Sequence, residues 1–273
     1  MRMVVSDLDG TLLKSDKSIS EKTLQILGEL EAKNIVFMIA TARARRHIHN
    51  LLPFNFDNMY CINYNGAEIY HGSELIYNNY LEGNVAKYIV KWLQETYQGI
   101  NVSLEISNRL FTNFDIKVMD NWSPPYTQVD FSTFEYKPTA KILVDLRYIS
   151  DTAQIMEMLP DNCRMIITDG GTLGQIAHKD VSKINAVKSL AKSFGYGLEE
   201  VIAFGDDYND IEMIRECGIG VAMGNAPQKV KEAADIIAGT NDEDGVAMEL
   251  ERIIKGSFHQ RLSRSVIRKK KQE

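Results

Sequence analysis

Two short apolar runs, RMVVS at residues 2–6 and NIVFMIA at residues 34–40, flank SISEKTLQILGELEAK, in which Leu24, Leu27 and Leu30 share one face of a helix. Parallel strands need a helical crossover between them, so this spacing predicts a βαβ unit and commits the chain to an α/β fold from its first residues. Ser18 and Glu21 give that helix an S-x-x-E start. A third strand is expected at MYCIN, after a helix around His47 to Leu52, and AEIYHGSELIY reads as a hairpin turning at Gly72.

The pattern changes after Leu81. Val85, Ile89, Leu93 and Tyr97 mark a helix, and INVSLEI with RLFTNF reads as a strand pair. AKILVDL, a helix near Thr152 to Leu159, RMIITD and LGQIA follow, a loose αββ succession that predicts helices on one face of a mostly antiparallel sheet. DNWSPPYTQ, around Pro124 and Pro125, reads as loop. From Ser182 the alternation resumes with a helix carrying Ile184, Val187, Leu190 and Phe194 on one side, then the strand EVIAFG and a helix after Tyr208. The strand GIGVAM, a helix from Pro227 and a last helix with Val246, Leu250, Ile253 and Ile254 complete it. The fold expected is α/β: a Rossmann-like, doubly wound parallel sheet core over residues 1–81 and 181–258, an inserted α+β domain over 82–180, and a basic tail over 259–273.

Composition narrows the setting. With 44% hydrophobic residues the chain has material for a core, and its three cysteines, Cys61, Cys163 and Cys217, form neither a disulfide framework nor a CxxC metal site. No apolar run approaches the ~18 residues needed to span a bilayer, so a soluble, cytoplasmic protein without a membrane partner is expected. The net charge of −6 is uneven: the tail holds six basic residues and one acidic, leaving 25 basic against 36 acidic before it. The tail is one short block without interleaved aromatics, which reads as a solvated end, and nucleic acid is not an expected partner.

Asp7 and Asp9 stand two residues apart in DLDG, directly after the first strand, and Gly10 lets the backbone turn sharply after them. Ionised carboxylates this close repel and lose hydration beside an apolar strand, so the pair needs a shared proton or a bound cation. GDDYND places Asp206, Asp207, Asn209 and Asp210 after another strand of the same sheet. Open α/β sheets bind ligands beyond the carboxyl ends of their strands. Carboxylates gathered there without Cys or His call for a hard cation, for which Mg2+ is the natural candidate. Holders for a phosphate are also present. Thr41 ends the second strand, and Lys183 follows Ser182, an N-cap type residue that would set the ammonium at a helix N-terminus. Lys179 is a rival four residues earlier, and Lys183 is preferred because it opens the helix.

DLDGTL, TAR, SK and GDDYNDIEM, in that order, resemble the four motifs of the haloacid dehalogenase superfamily of phosphatases. NYNGAEI and the insert resemble its Cof-like branch, which carries a large α/β cap, and the resemblance extends to about Lys255. It implies that Asp7 is the nucleophile and that Asp9 is the general acid for the leaving oxygen and then the base for water. It further implies that Thr41 and Lys183 hold phosphoryl oxygens, and that Mg2+ is bound by the Asp7 carboxylate, the Asp9 carbonyl and Asp206. Asn209 on the phosphate side and Asp210 on the metal side would orient the site, with Asn65 close by. Arg43, Asn65, and Asp169 with the rest of DGGT are the candidate substrate contacts. The cap would close over the site, so the expected substrate is a small phosphorylated metabolite: a sugar phosphate, a nucleotide or a phosphorylated cofactor. The family commonly has Gly where Ala42 stands, and often Gly after the lysine, where Ile184 and Asn185 follow here. The activity expected is that of a Mg2+-dependent phosphatase acting through an aspartyl phosphate. The alternatives are a phosphomutase, a receiver-like phosphate acceptor and a catalytically weak metabolite-binding protein. Asp9 argues against the receiver, whose acceptor normally lacks a second acid at i+2.

Overall fold

The computed structural model describes residues 1–48, 51–52, 59–116, 124–149 and 151–255. The basic tail from His259 and the Asp169 side chain lie outside the described residues. The chain forms two compact units, Met1–Ile76 with the residues from Ser182 onward, and Tyr77–Val181.

The first unit begins with β1 (Met3–Ser6), α1 (Glu21–Ala32), β2 (Val36–Ala40), α2 (Arg45–Ile48), β3 (Tyr60–Asn63), β4 (Glu68–His71) and β5 (Glu74–Asn78). All four residues of β1 are buried, as befits a parallel strand covered on both faces, and this is why MVVS reads as a continuous apolar run. Helix α1 buries Thr23, Ile26 and Leu30, with Leu27 against the same core, the i, i+3, i+4, i+7 set of a 3.6-residue period. The expected stripe was therefore misplaced at Leu24, which is only half-buried. The cap is also two residues later than expected. The Ser20 hydroxyl accepts the Thr23 N–H at 3.1 Å, whereas Ser18 is used in a turn: its N–H goes to Asp16 and its carbonyl accepts the Lys14 N–H. The helix expected around His47 to Leu52 is observed at Arg45–Ile48, and residues 49–50 lie outside those described. The hairpin between β4 and β5 turns at Gly72, whose φ is +53°.

The second unit contains α3 (Gly83–Thr96), β6 (Val102–Ile106), β7 (Arg109–Thr112), β8 (Tyr126–Gln128), β9 (Lys141–Asp145), α4 (Ala153–Met158), β10 (Cys163–Thr168) and β11 (Leu173–His178). Its sheet runs β10-β11-β9-β6-β7-β8, antiparallel except for the last pair. Ile89 and Leu93 of α3 and Ile155 of α4 pack with Val102, Leu104, Ile142, Val144 and Ile176 from one face of that sheet. The register puts Ser103, Glu105, Thr112 and Asp145 on the other face, all of them buried. DNWSPPYTQ is not loop throughout, because Tyr126–Gln128 pairs as a short edge strand after the two prolines.

The chain then returns through α5 (Lys183–Ser193), β12 (Val201–Gly205), α6 (Ile211–Glu216), β13 (Ile219–Ala222), α7 (Gln228–Ala233), β14 (Ile236–Ile237) and α8 (Gly245–Ile254). The helix expected after Tyr208 is preceded by one 3-10 turn, Tyr208–Asp210, and β14 is too short to have been legible. The large sheet has the order β14-β13-β12-β1-β2-β3-β4-β5, parallel from β14 through β3. Helices α1 and α8 pack together over Val4, Ile39, Ile202 and Phe204 on one of its faces. This is the expected Rossmann-like α/β sheet. Successive strands run outward from β1 in one direction and from β12 in the other, so the order reverses between those two neighbours. Loops leaving such a switch point diverge and open a crevice, and Asp7 and Asp206 are the residues that leave it. Among the described residues no helix is long and apolar enough to cross a membrane.

Candidate active site

Lys183 is 2% exposed and sits at the first turn of α5, where Ser182 caps the helix by accepting the Asn185 N–H at 3.1 Å. Its ammonium donates to Asp7 Oδ1 at 2.5 Å and to Asp210 Oδ1 at 2.7 Å. A buried lysine resists ionisation, but Asp210 and Asp7 outweigh that penalty and hold its pKa above the ordinary value. Asp7 moves the other way for a carboxylate. Burial pushes its pKa well up against the pull of Lys183, and the nearby Asp210 and Asp206 add to the rise. The second Asp210 oxygen accepts the N–H groups of Asp206 and Asp207 at 3.0 and 3.1 Å, so this side chain shapes the loop after β12. Lys179, the rival lysine, is exposed and belongs to the second unit.

One oxygen each of Asp7, Asp206 and Asp210 lie within 4.8 Å of one another. Burial raises Asp206 to about 6, against a 2.7 Å hydrogen bond from Thr11. Three carboxylates therefore face one ammonium, and burial, with a smaller share from neighbouring carboxylates, pushes Asp7 and Asp206 toward protonation. The donors are all hard oxygens, and the surplus negative charge suits a divalent cation, so these residues fit Mg2+.

Asp9 does not share this cluster. The chain turns after Asp7, and both Asp9 oxygens are taken by Arg43, Nε to Oδ2 at 2.5 Å and an Nη to Oδ1 at 2.6 Å, while Lys17 reaches Oδ1 at 2.9 Å. Each carboxylate of the pair has its own cationic side-chain partner, Lys183 for Asp7 and Arg43 with Lys17 for Asp9. Burial raises the Asp9 pKa, but the bonds from Arg43 and Lys17 outweigh it and the net value is lowered. A depressed folded-state pKa stabilises the fold above the ordinary Asp value and loses that contribution as the pH falls through the folded value. Asp9→Asn in metal-free buffer should accordingly lower the thermal midpoint at pH 7, with the gap to the parent closing as pH drops below about 4. A gap that stays constant down to pH 3 would contradict this.

The remaining candidates converge through one strained turn. Tyr64 and Asn65 have φ of +50° and +58°, and Gly66 follows at +109°. A Cβ on Gly66 would stand 2.3 Å from the Ser182 carbonyl oxygen, so glycine is what allows the turn to lie against the start of α5. The Asn65 N–H donates to the Thr41 carbonyl at 2.9 Å, and its Oδ1 accepts Asn209 Nδ2 at 3.0 Å. Thr41 is buried, and its hydroxyl oxygen accepts the Arg43 N–H at 3.1 Å. Asn65 thus bears on two neighbouring loops, and Arg43 on Asp9. Thr11, Lys17, Asn225 and Asn241 were not singled out in the sequence. Asn225 Nδ2 donates to the Gly10 carbonyl at 2.8 Å, its Oδ1 accepts the Asn241 N–H, and Asn241 Nδ2 reaches the Leu13 carbonyl at 3.0 Å. Of the four, Thr11 lies within DLDGTL and Asn225 within the turn GNAP, while no local pattern marks Lys17 or Asn241.

Carboxylates and a buried lysine gathered at the switch point of a parallel sheet are the arrangement expected of the hydrolase superfamily that the four motifs resemble. The model of the haloacid dehalogenase-like hydrolase family matches residues 4–250, and the chain belongs to that family. A Haemophilus influenzae protein described as a candidate phosphatase is 31% identical over 263 residues, covering 92% of this chain and 97% of its own. The 5-amino-6-(5-phospho-D-ribitylamino)uracil phosphatase YcsE of Bacillus subtilis is 29% identical over 252 residues, covering 90% and 93%. The crystal structure of a haloacid dehalogenase-like hydrolase from Bacteroides thetaiotaomicron superposes with a TM-score of 0.77 at 29% identity, covering 92% of this chain and 99% of that one. The chain is therefore an enzyme, a hydrolase of the phosphatase type.

Proposed function

We propose that this enzyme is a Mg2+-dependent phosphatase of small phosphorylated metabolites, working in the cytoplasm through an aspartyl phosphate on Asp7. The observation that carries the reading is the buried Asp7–Lys183–Asp210 set at the switch point, with Asp206 within 4.8 Å. Asp7 and Asp206, with the Asp9 carbonyl, would hold the cation. Bound there, Mg2+ offsets the carboxylate charge and draws electron density from the phosphoryl oxygens.

Phosphate monoesters hydrolyse so slowly unaided that accelerations up to ~10²¹-fold are needed, which favours splitting the reaction into two displacements. An Asp7 carboxylate oxygen attacks phosphorus, and the bond from phosphorus to the leaving oxygen breaks as Asp9 gives that oxygen a proton. Asp9 then takes a proton from the water that attacks the Asp7 acyl phosphate, which frees inorganic phosphate and restores both carboxyl groups. Lys183 has a third ammonium proton for a phosphoryl oxygen, Thr41 donates its hydroxyl to another, and Asn209 is held beside them by Asn65. With Arg43 and Lys17 on it, Asp9 is held as a carboxylate. An incoming anion competes for the Arg43 guanidinium, and this exchange releases Asp9 to carry a proton. Arg43 is in this way both a substrate contact and the brake on the general acid.

The substrate class rests on the relative YcsE, whose name gives it a small phosphorylated ribityl compound. The three cysteines are free, consistent with a reducing compartment. Two measurements test the reading. Turnover of an aryl phosphate should vanish with excess chelator and return with Mg2+, and undiminished turnover in chelator would sink the cation. In a panel of phosphorylated metabolites at least one should release phosphate faster than a folded phosphoprotein does. The reverse order would overturn the substrate class.

A further inference from the structure

Thr11 belongs to DLDGTL but has no place in the chemistry above. It is 1% exposed, and its hydroxyl donates 2.7 Å to Asp206 Oδ1 from the other half of the sheet. The opposite oxygen of Asp206 is confined as well. Gly10, with φ of +77°, passes so close that a Cβ there would stand 2.3 Å from Oδ2, and Asn225 Nδ2 lies 3.4 Å from the same atom. Asn225 is fixed in turn to the Gly10 carbonyl and to Asn241.

We infer that Thr11 is a positioning residue for the cation: its hydroxyl sets the rotation of the Asp206 carboxylate, so that the one oxygen it brings within 4.8 Å of Asp7 and Asp210 keeps its place. The inference rests on the proposed role of Asp206 as a metal ligand. Mg2+ demands near-ideal octahedral geometry at about 2.0–2.1 Å, so a ligand free to rotate contributes little. A partner that orients a ligand typically changes metal affinity 10–100-fold when it is removed. A carboxylate accepts the Thr11 proton on one lone pair and leaves another for the cation. The bland role for a buried hydroxyl, satisfying a polar neighbour and nothing more, makes a different forecast, since it affects only the fold.

The test is direct binding of Mn2+, followed by the electron paramagnetic resonance of the free ion, for the full chain and for Thr11→Val, Thr11→Ser and Asp206→Asn. Thr11→Val keeps the shape without the donor and should bind about 10–100-fold more weakly. Thr11→Ser restores the donor and should bind within about threefold of the parent, and the metal-free thermal midpoints of both should not follow the affinities. Thr11→Val binding as tightly as the parent overturns the inference, as does a Thr11→Ser variant as weak as Thr11→Val. If the parent binds no Mn2+, or Asp206→Asn binds as the parent does, the proposed role of Asp206 fails instead.

Discussion

Asp7→Asn is expected to lose turnover by on the order of 10⁴-fold or more, the scale seen when a nucleophile that works as part of a unit is removed. The amide carries no charge, is a poor nucleophile, and takes one oxygen ligand from the carboxylate set. The same substitution should not weaken the metal-free fold. Asp7 is pushed up by burial and by Asp210 and Asp206, so a neutral side chain of equal size relieves repulsion while Lys183 keeps its bond to Asp210. Steady-state assays with an aryl phosphate and a thermal melt without metal read the two effects. Activity above about one hundredth of the parent, which this scale of loss does not allow, would remove Asp7 from the role of nucleophile.

Lys183→Met should have the largest effect on stability. Its side chain is 1% exposed and stands between two carboxylates that are 9% and 0% exposed. Methionine fills the space but leaves Asp7 and Asp210 buried without a counter-charge, and removing one partner from such a buried set costs about 3–5 kcal/mol. Denaturant unfolding in metal-free buffer measures it. Adding Asp7→Asn to Lys183→Met should recover part of the loss, because one uncompensated charge goes with it. A cost under about 1 kcal/mol, the scale of a surface pair, would mean that the lysine is not the counter-ion of this cluster.

What could be read beforehand follows the range of the signal. The βαβ alternation and the positions of Asp7, Thr41 and Asp206 at strand ends come from local periodicity, which a sequence displays directly. Lys183 could be chosen over Lys179 because Ser182 is a local capping signal. Contacts that join distant segments left no such mark. Thr11 and Asp206 are 195 residues apart, and Lys17 looks like any exposed lysine until the turn at residues 14–18 brings it to Asp9. Asp7 and Asp9 read as a pair because spacing alone is visible in a sequence, and the turn the chain makes after Asp7 sends their carboxylates to different partners. The S-x-x-E pattern points to Ser18, whereas Ser20 caps the helix, because the Asp16 hydrogen bond holds Ser18 in the turn before it. The edge strands Tyr126–Gln128 and Ile236–Ile237 are too short for a period of two to register.

The central claim is that Asp7 carries the phosphoryl group and Asp9 moves the protons, and Asp9→Asn tests it most directly. This variant keeps the nucleophile and the carbonyl of residue 9 but has no acid or base, a loss typically worth 10²–10⁴-fold. With an aryl phosphate whose leaving oxygen needs little protonation, the first displacement should proceed while the second stalls. Acid quench, digestion and mass spectrometry should then find one added phosphoryl group on the peptide that contains Asp7. Hydrolysis of alkyl phosphates at the parent rate, or a phosphoryl group found on any other residue, would contradict the account.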